Sequence, residues 1–271
     1  MRSYARQKIY RGCSGLIMQS VDLNCDCGEG FGAYAMGDDA AMLAIVTSAN
    51  VACGFHAGDP EIMAETFRIA KANGVAVGAH PGFPDLWGFG RRRLPFSTGE
   101  IERLVAYQIG AAQALAGYVG HRLTHVKPHG ALSNIGMEDH AVARAIARAV
   151  RAVDPSLVFL AVARSALEQA GIAEKLTVVS EIFADRAYTE QGLLLPRAQE
   201  GAVLHDAEEV AERVVAMVEE AALISISGRR IPVLAQSICV HGDTPNAVVM
   251  ARAVRRRLEA AGITLKAFAG E

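Results

Sequence analysis

Four short apolar runs of this 271-residue chain each close on a histidine or a lysine–histidine pair: Ala49 to His56, Val75 to His80, His125 to Gly130, and Ser237 to Asp243. Most segments between them carry the spacing of amphipathic helices. Strands that alternate with crossover helices pair in parallel, because the helix must carry the chain back along the sheet. Seven or eight such units imply a closed or nearly closed structure rather than an open sheet. The expected fold is therefore α/β, a parallel (β/α) barrel of about seven strands. The C-terminal ends of its strands gather on one face, and in such barrels that face carries the chemistry.

Composition narrows the field. Hydrophobic residues make up 51% and charged residues 21% of the chain, enough to build a sizeable core. A net charge of −2 without a basic block gives no support to a nucleic-acid partner, and Arg255-Arg256-Arg257 reads as the solvated face of a C-terminal helix. No apolar stretch approaches the roughly 18–20 residues of a membrane helix, so no membrane association is expected. Five cysteines, at 13, 25, 27, 53 and 239, are an odd number without framework spacing, which favours reduced thiols and a cytoplasmic location. Residues 1–17 carry several basic residues, no acid and no signal-peptide core. They are expected to be a disordered N-terminal extension upstream of a native start at Met18, leaving 18–271 as a single barrel domain.

The element pattern opens with a strand near 20–24, a glycine-rich loop at 27–32 and a helix from Asp38 to about Thr47. A second strand ends at His56, and Asp59-Pro60 caps and starts the next helix, which Gly74 stops. A third strand ends at His80 and opens into a long loop, Pro81 to Pro95, of the length usually kept for a lid or binding loop. Ser97 or Thr98, with Glu100 close to N3, starts a helix running to about Val119. Strands are expected near 123–127, 157–162, 177–183, 233–240 and 263–268. Helices are expected at 139–153, at 206–222 and from Thr244-Pro245, and 185–204 reads as irregular.

Polar residues recur where strands end: Asp22 and Asn24, His56, His80, Lys127 with His129, Glu181 with Asp185 and Arg186, and His241 with Asp243. One such residue alone reads as structural; repetition on independent strands points to one pocket. Three chemistries fit these residue types. Asp22, His56 and His80 suit a divalent metal. A histidine or carboxylate of tuned pKa suits acid–base work, with Lys127 or Arg186 holding an oxyanion. Lys127 and Arg186 with hydroxyl or amide donors suit a carboxylate pocket. Gly28-Glu29-Gly30-Phe31-Gly32-Ala33 matches the loose dinucleotide pattern only weakly, because Glu29 would oppose a pyrophosphate and His56 stands where a ribose-binding acid belongs. No Walker A pattern occurs. Cys25 and Cys27 read as packing groups, and Arg91-Arg92-Arg93 as a solvated loop or an anion clamp.

Several motifs together resemble the LamB/YcsF family. They are Val21-Asp22-Leu23-Asn24-Cys25-Asp26-Cys27-Gly28-Glu29-Gly30-Phe31-Gly32, Ala49 to Pro60, Gly78 to Asp85, Gly88 to Arg92, His125 to Leu132, Glu181 to Tyr188, Leu195-Pro196-Arg197 and Cys239 to Pro245. The resemblance spans about 20–268. It implies a barrel like that of the glycoside hydrolase/deacetylase superfamily. It also implies ATP-dependent opening of the lactam of 5-oxo-L-proline to L-glutamate, with ATP and magnesium as co-substrate and separate B and C subunits as partners.

By residue type, Lys127 and Arg186 would hold the substrate carboxylate or an oxyanion. His56, His80 or His129 would move protons, and Asp22 with Asp243 would orient imidazoles or water. His241 completes the catalytic candidates; Asn24, Glu181, Asp185, Arg91 and Arg197 join Arg186 as substrate-binding candidates. The alternatives are a metal-dependent deacetylase acting on an N-acyl substrate, or a non-catalytic substrate-binding subunit. The sequence leaves a bound divalent metal and a homo-oligomer open.

Overall fold

The computed structural model describes residues 9–12, 15–18, 20–242 and 246–268, the first two segments by backbone alone. In chain order the elements are β1 (Ile9–Gly12), β2 (Gly15–Met18), β3 (Ser20–Cys27), α1 (Asp39–Leu43), β4 (Ser48–Ala52), α2 (Pro60–Ala72), β5 (Ala76–His80), α3 (Thr98–Tyr118), β6 (Leu123–Val126) and α4 (Gly130–Glu138). Then come α5 (His140–Val153), β7 (Val158–Val162), α6 (Ala166–Ala173), β8 (Val178–Phe183), α7 (Ala207–Glu219), β9 (Ala222–Ile224), β10 (Arg230–Pro232), β11 (Ser237–Val240), α8 (Ala247–Ala260) and β12 (Thr264–Leu265).

Strands β3, β4, β5, β6, β7, β8 and β11 pair in parallel in that order, and β11 returns to β3, closing a seven-stranded barrel. Short β12 adds alongside β3. Closure is set by registers such as Ser237 opposite Asp22 and Cys239 opposite Asn24. The strands' outward residues, among them Leu23, Val51, Val77, Val126, Phe159, Ile182 and Ile238, pack in one continuous core with Phe67, Val105, Ile109, Ile146 and Val214 from the helices. Helix starts follow the expected chemistry. Asp59 caps α2 ahead of Pro60, and Ser97 with Glu100 forms a complete capping box on α3.

Several expectations are corrected. The first strand runs to Cys27, so Asp22 and Asn24 sit within it rather than at its end. The second strand stops at Ala52, and Gly54, at φ +89°, turns the chain so that His56 lies on the following loop. α1 ends at Leu43, short of Thr47. Helix α4, directly after His129, and the β9–β10 hairpin were not foreseen. Within the stretch expected as an extension, β1 and β2 pair antiparallel. Residues 1–8, Cys13 and Asp243 with the expected helix start at Thr244-Pro245 lie outside the described residues; α8 begins at Ala247. No described helix is long and apolar enough to cross a membrane.

Candidate active site

Barrels of this architecture usually fill the lumen with branched apolar side chains. Here a small apolar cluster of Val158, Leu160, Val179 and Phe268 is joined by a polar stack. Successive side chains of a strand face opposite ways, so Asp22, Asn24 and Asp26 of β3 share the inner face. Asp22 accepts hydrogen bonds from Thr47 Oγ1 at 2.7 Å, Ser48 Oγ at 2.9 Å and Ser237 Oγ. Burial pushes its carboxyl up to about 6 against the pull of these hydroxyls. Asn24 donates to Glu181 Oε1 at 2.9 Å and to Ser237 Oγ at 2.8 Å, and accepts from Asn50 Nδ2 at 2.8 Å. His125 Nε2 lies 3.0 Å from Asn50 Oδ1, and its ring occupies the space a side chain at Gly78 would need.

Lys127 stands over this stack. Its Nζ is 3.0 Å from Asp26 Oδ1, 3.0 Å from Glu181 Oε1 and 3.0 Å from Cys239 Sγ. Burial opposes the ammonium charge, but the carboxylates of Asp26 and Glu181 hold its pKa well above the usual lysine value. Burial likewise opposes ionisation of Asp26, yet His80 and Lys127 draw its carboxyl well below the ordinary range. The Cys239 thiol is raised by burial and stays neutral.

Three imidazoles form the neighbouring wall. His56 and His129 stack face to face, ring centroids 3.7 Å apart, and His80 meets them edge-on. His80 Nδ1 is 2.7 Å from the Lys127 carbonyl and His129 Nε2 is 2.8 Å from the Phe89 carbonyl. A carbonyl only accepts, so both nitrogens carry the proton. Burial first, then charge on the neighbouring histidines, holds His56 and His129 well below the ordinary histidine range. Glu29 Oε1 lies 3.7 Å from both His56 Nε2 and His129 Nδ1. The loop after β5 roofs this wall, and Asp85 holds the loop folded by accepting from Gly88 N and Arg92 Nε, each at 2.9 Å.

Across the mouth, His241 Nδ1 sits 2.8 Å from Asp185 Oδ1 and 2.9 Å from Oδ2. Burial opposes the Asp185 charge, but His241 brings its carboxyl below the ordinary value. Phe183 stacks on the His241 ring at 5.2 Å. Between the walls lies a cavity of ≈ 450 Å³, lined by Asp26, Glu29, His80, Lys127, His129 and His241, with Arg91, Arg186 and Arg197 at its edge. Arg186 donates through Nε to the Ala202 carbonyl at 3.2 Å and through Nη2 to the Leu195 carbonyl at 2.5 Å. Burial brings it down to about 10. It thus ties the 184–206 segment together as well as facing the cavity.

Of the expected site residues, His80, Lys127, His129, His241, Arg91, Arg186 and Arg197 line the cavity. His56 lies just behind, stacked on His129. Asp22, Asn24 and Glu181 lie lower in the lumen, bonded to one another's partners rather than lining the cavity. Asp185, expected among the substrate-binding residues, accepts from the His241 imidazole, an orienting contact of the kind expected of Asp22 and Asp243. Asp26 and Glu29 were not among the expected site residues. The alternation Asp22–Asn24–Asp26 carries the signal for Asp26, hidden by placing the strand end too early. The carbonyls of Phe89 and Lys127 carry no residue-type signal at all.

Fold and site together define a closed parallel-barrel protein with a buried, charged and imidazole-rich cavity at the C-terminal ends of its strands. The chain belongs to the LamB/YcsF family, whose model matches residues 21–271. It is 61% identical over 253 residues to the 5-oxoprolinase A subunit of Gluconobacter oxydans (strain 621H), covering 93% of this chain and 100% of that protein. It is 59% identical to the protein of the same name from Rhodopseudomonas palustris (strain ATCC BAA-98 / CGA009), covering 92% and 99%. Among solved structures, the lactam utilization protein from Thermus thermophilus superposes with a TM-score of 0.87 at 47% identity, over 92% of this chain and 99% of that one.

Proposed function

We propose that this chain is the A subunit of a cytoplasmic, ATP-dependent 5-oxoprolinase. With B and C subunits it would hydrolyse 5-oxo-L-proline to L-glutamate as ATP becomes ADP and phosphate. The observation that carries this reading is the 61% identity to a protein named as the A subunit of 5-oxoprolinase, over nearly all of both chains. The cavity is chemically suited. Arg91, Arg186 and Arg197 supply cationic edges for a small carboxylate, and the walls supply several proton carriers.

A five-membered lactam is a weak electrophile, so phosphorylating its amide oxygen would create a carbon that water can attack and a leaving group. The described fold offers no phosphate loop, which is why ATP is assigned to the complex rather than to a site on this chain. His241 is the best-placed base. Asp185 occupies its Nδ1, leaving Nε2 as the nitrogen able to take a proton from water and return it to the lactam nitrogen as the C–N bond breaks. The acyl phosphate so formed would be cleaved by a second water, releasing glutamate and phosphate. Lys127, held between Asp26 and Glu181, is a positioning residue that fixes the charge of the cavity floor.

The test is glutamate release from 5-oxo-L-proline by the purified chain mixed with B and C subunits and Mg-ATP. Turnover that needs all three chains and ATP is expected. Undiminished turnover without this chain would overturn the reading.

A further inference from the structure

Large apolar side chains left in water are unevenly placed on this molecule. Of the ten among the described residues, five lie on two loops: Phe31, Tyr34 and Met36 after β3, and Leu86 and Trp87 after β5. The other five are scattered over α3, α6, α8 and the β9–β10 turn. Single exposed apolar residues are ordinary on a protein surface, whereas a gathered set marks a contact.

The two loops stand side by side at the C-terminal end of the barrel. Strands β3, β4 and β5 are neighbours, and the loop after β4 ties the flanking two together. Gly58 N donates to the Gly30 carbonyl at 2.7 Å, and Asp85 N donates to the Phe55 carbonyl at 3.2 Å. Both loops hold their apolar residues on fixed turns. Phe31 and Tyr34 exchange backbone hydrogen bonds of 2.9 and 3.0 Å, and Asp59 Oδ2 accepts from Gly32 N at 2.7 Å. Leu86 and Trp87 ride the turn that Asp85 folds onto Gly88 and Arg92.

This apolar set borders the cavity. Glu29 and Arg91, from the same two loops, line it. The loop after β3 also reaches the His241 side, where a Cβ at Gly37 would stand 2.7 Å from the Gly242 carbonyl oxygen. The rim beside the set is cationic. Arg91 is exposed and Arg197 half-buried, while of the lining carboxylates Asp26 and Glu29 are buried and Glu138 is exposed.

We propose that Phe31, Tyr34, Met36, Leu86 and Trp87 form the docking surface for the ATP-carrying partner chain, seated so that the nucleotide's phosphates meet the arginine rim. This inference rests on the reading of the chain as a 5-oxoprolinase A subunit. In that reaction a phosphoryl group must reach the lactam oxygen from a partner, and water must be kept out while it does. A chain seated on these loops does both. Tyr and Trp are among the side chains that dominate interface energies, and guanidinium groups suit phosphate.

The experiment mixes the full chain with its B and C subunits and follows association by sedimentation velocity. The wild type should associate, and more tightly when the partners carry a non-hydrolysable ATP analogue. Tyr34→Ser combined with Trp87→Ser should raise Kd by at least about 30-fold, the size of a hot-spot loss. These side chains are 81% and 97% exposed, so the double variant should keep the wild-type melting temperature. Tyr118, 84% exposed, ends α3 where the chain enters β6, at the opposite end of the barrel, and Tyr118→Ser should leave Kd unchanged. Arg91→Gln with Arg197→Gln should remove most of the gain given by the analogue; a gain that survives would overturn the placement of the phosphates. Wild-type Kd in the folded Tyr34/Trp87 variant would overturn the docking surface and leave the A-subunit reading standing. No association of the wild-type chain, with or without the analogue, would overturn both. A wild-type dimer that the double variant dissociates would give these loops to a second copy of the chain, and the proposal would fall.

Discussion

The same barrel strands present two different chemistries on their two faces. Outward, β3 offers Val21, Leu23, Cys25 and Cys27, all buried against helices in one apolar core. Inward, it offers Asp22, Asn24 and Asp26, equally buried but bound into hydrogen bonds and ion pairs with Ser48, Asn50, Lys127 and Ser237. The outer face needs only volume and contact to contribute, whereas the inner face must satisfy every polar atom or lose stability. A lumen of buried charges is weak evidence for stability and stronger evidence of a task. The pair of faces teaches that this sheet holds itself together on one side and spends that stability on the other.

The largest effect should come where the inner face meets the cavity. His241→Ala should lower kcat of the reconstituted complex by about 10²–10⁴-fold while leaving the melting temperature close to wild type. Asp185→Asn should act in the same direction, because an amide NH2 facing Nδ1 selects the other His241 tautomer and the carboxylate charge is gone. Loss of melting temperature without loss of kcat would return the pair to a structural role.

Next comes a matched pair of truncations. Lys127→Met leaves Asp26 and Glu181 buried together without their cation, and should cost about 3–5 kcal/mol in urea unfolding. Leu23→Ala on the outer face should cost about 2–5 kcal/mol through an ordinary cavity. The faces separate in the rescue. Adding Glu181→Gln to Lys127→Met should recover part of the loss, since it removes one uncompensated charge, whereas it should do nothing for Leu23→Ala. Strict additivity in both backgrounds would break the distinction.

The lumen should also write itself into pH. Asp22 is raised from 3.8 to about 6, chiefly by burial. A folded carboxyl with a raised pKa binds its proton more tightly than the unfolded chain does. Its favourable contribution is therefore fully present below about pH 4 and is lost as pH rises through about 6. Such a shift corresponds to about 3 kcal/mol. Subtracting the stability of Asp22→Asn from wild type at each pH should leave a difference that falls by about that amount between pH 4 and 7. A flat difference would show that the hydroxyls of Thr47, Ser48 and Ser237 fully offset burial.

These faces were unequally legible in the sequence. Alternation and helical spacing announced the outer core, because a period of two on strands and of 3.6 on helices is written directly in residue type. The same alternation carried Asp22 and Asn24, but Asp26 escaped because an acidic residue beside Cys27 and Gly28 reads as a loop. The pairing of Asp185 with His241 joins residues 56 positions apart, a relation that only the parallel pairing of β8 with β11 creates. The family motifs placed nearly all the cavity residues in one site. They could not say which stand in the wall and which, like Glu181, lie beneath it. Nor could residue types reveal that His129 is oriented by a carbonyl of the loop after β5, since every residue has one.

The smallest expected difference probes that loop. Gly32 and Gly90 both adopt left-handed backbone, at φ +57° and +62°. Around Gly32 a Cβ would meet nothing within 4 Å, so Gly32→Ala should cost only the conformational penalty of about 1–2 kcal/mol. At Gly90 a Cβ would stand 2.7 Å from His56 Cβ and 2.8 Å from His129 Cδ2. Neither neighbour can yield easily: the first is next to the backbone, and the second belongs to a ring held by the Phe89 carbonyl and stacked on His56. Gly90→Ala should therefore cost about 1–3 kcal/mol beyond Gly32→Ala in urea unfolding, the overpacking increment. Equal costs would mean that the 81–97 loop can lift off the imidazoles, and that the histidine wall is not packed as rigidly as the outer core it faces away from.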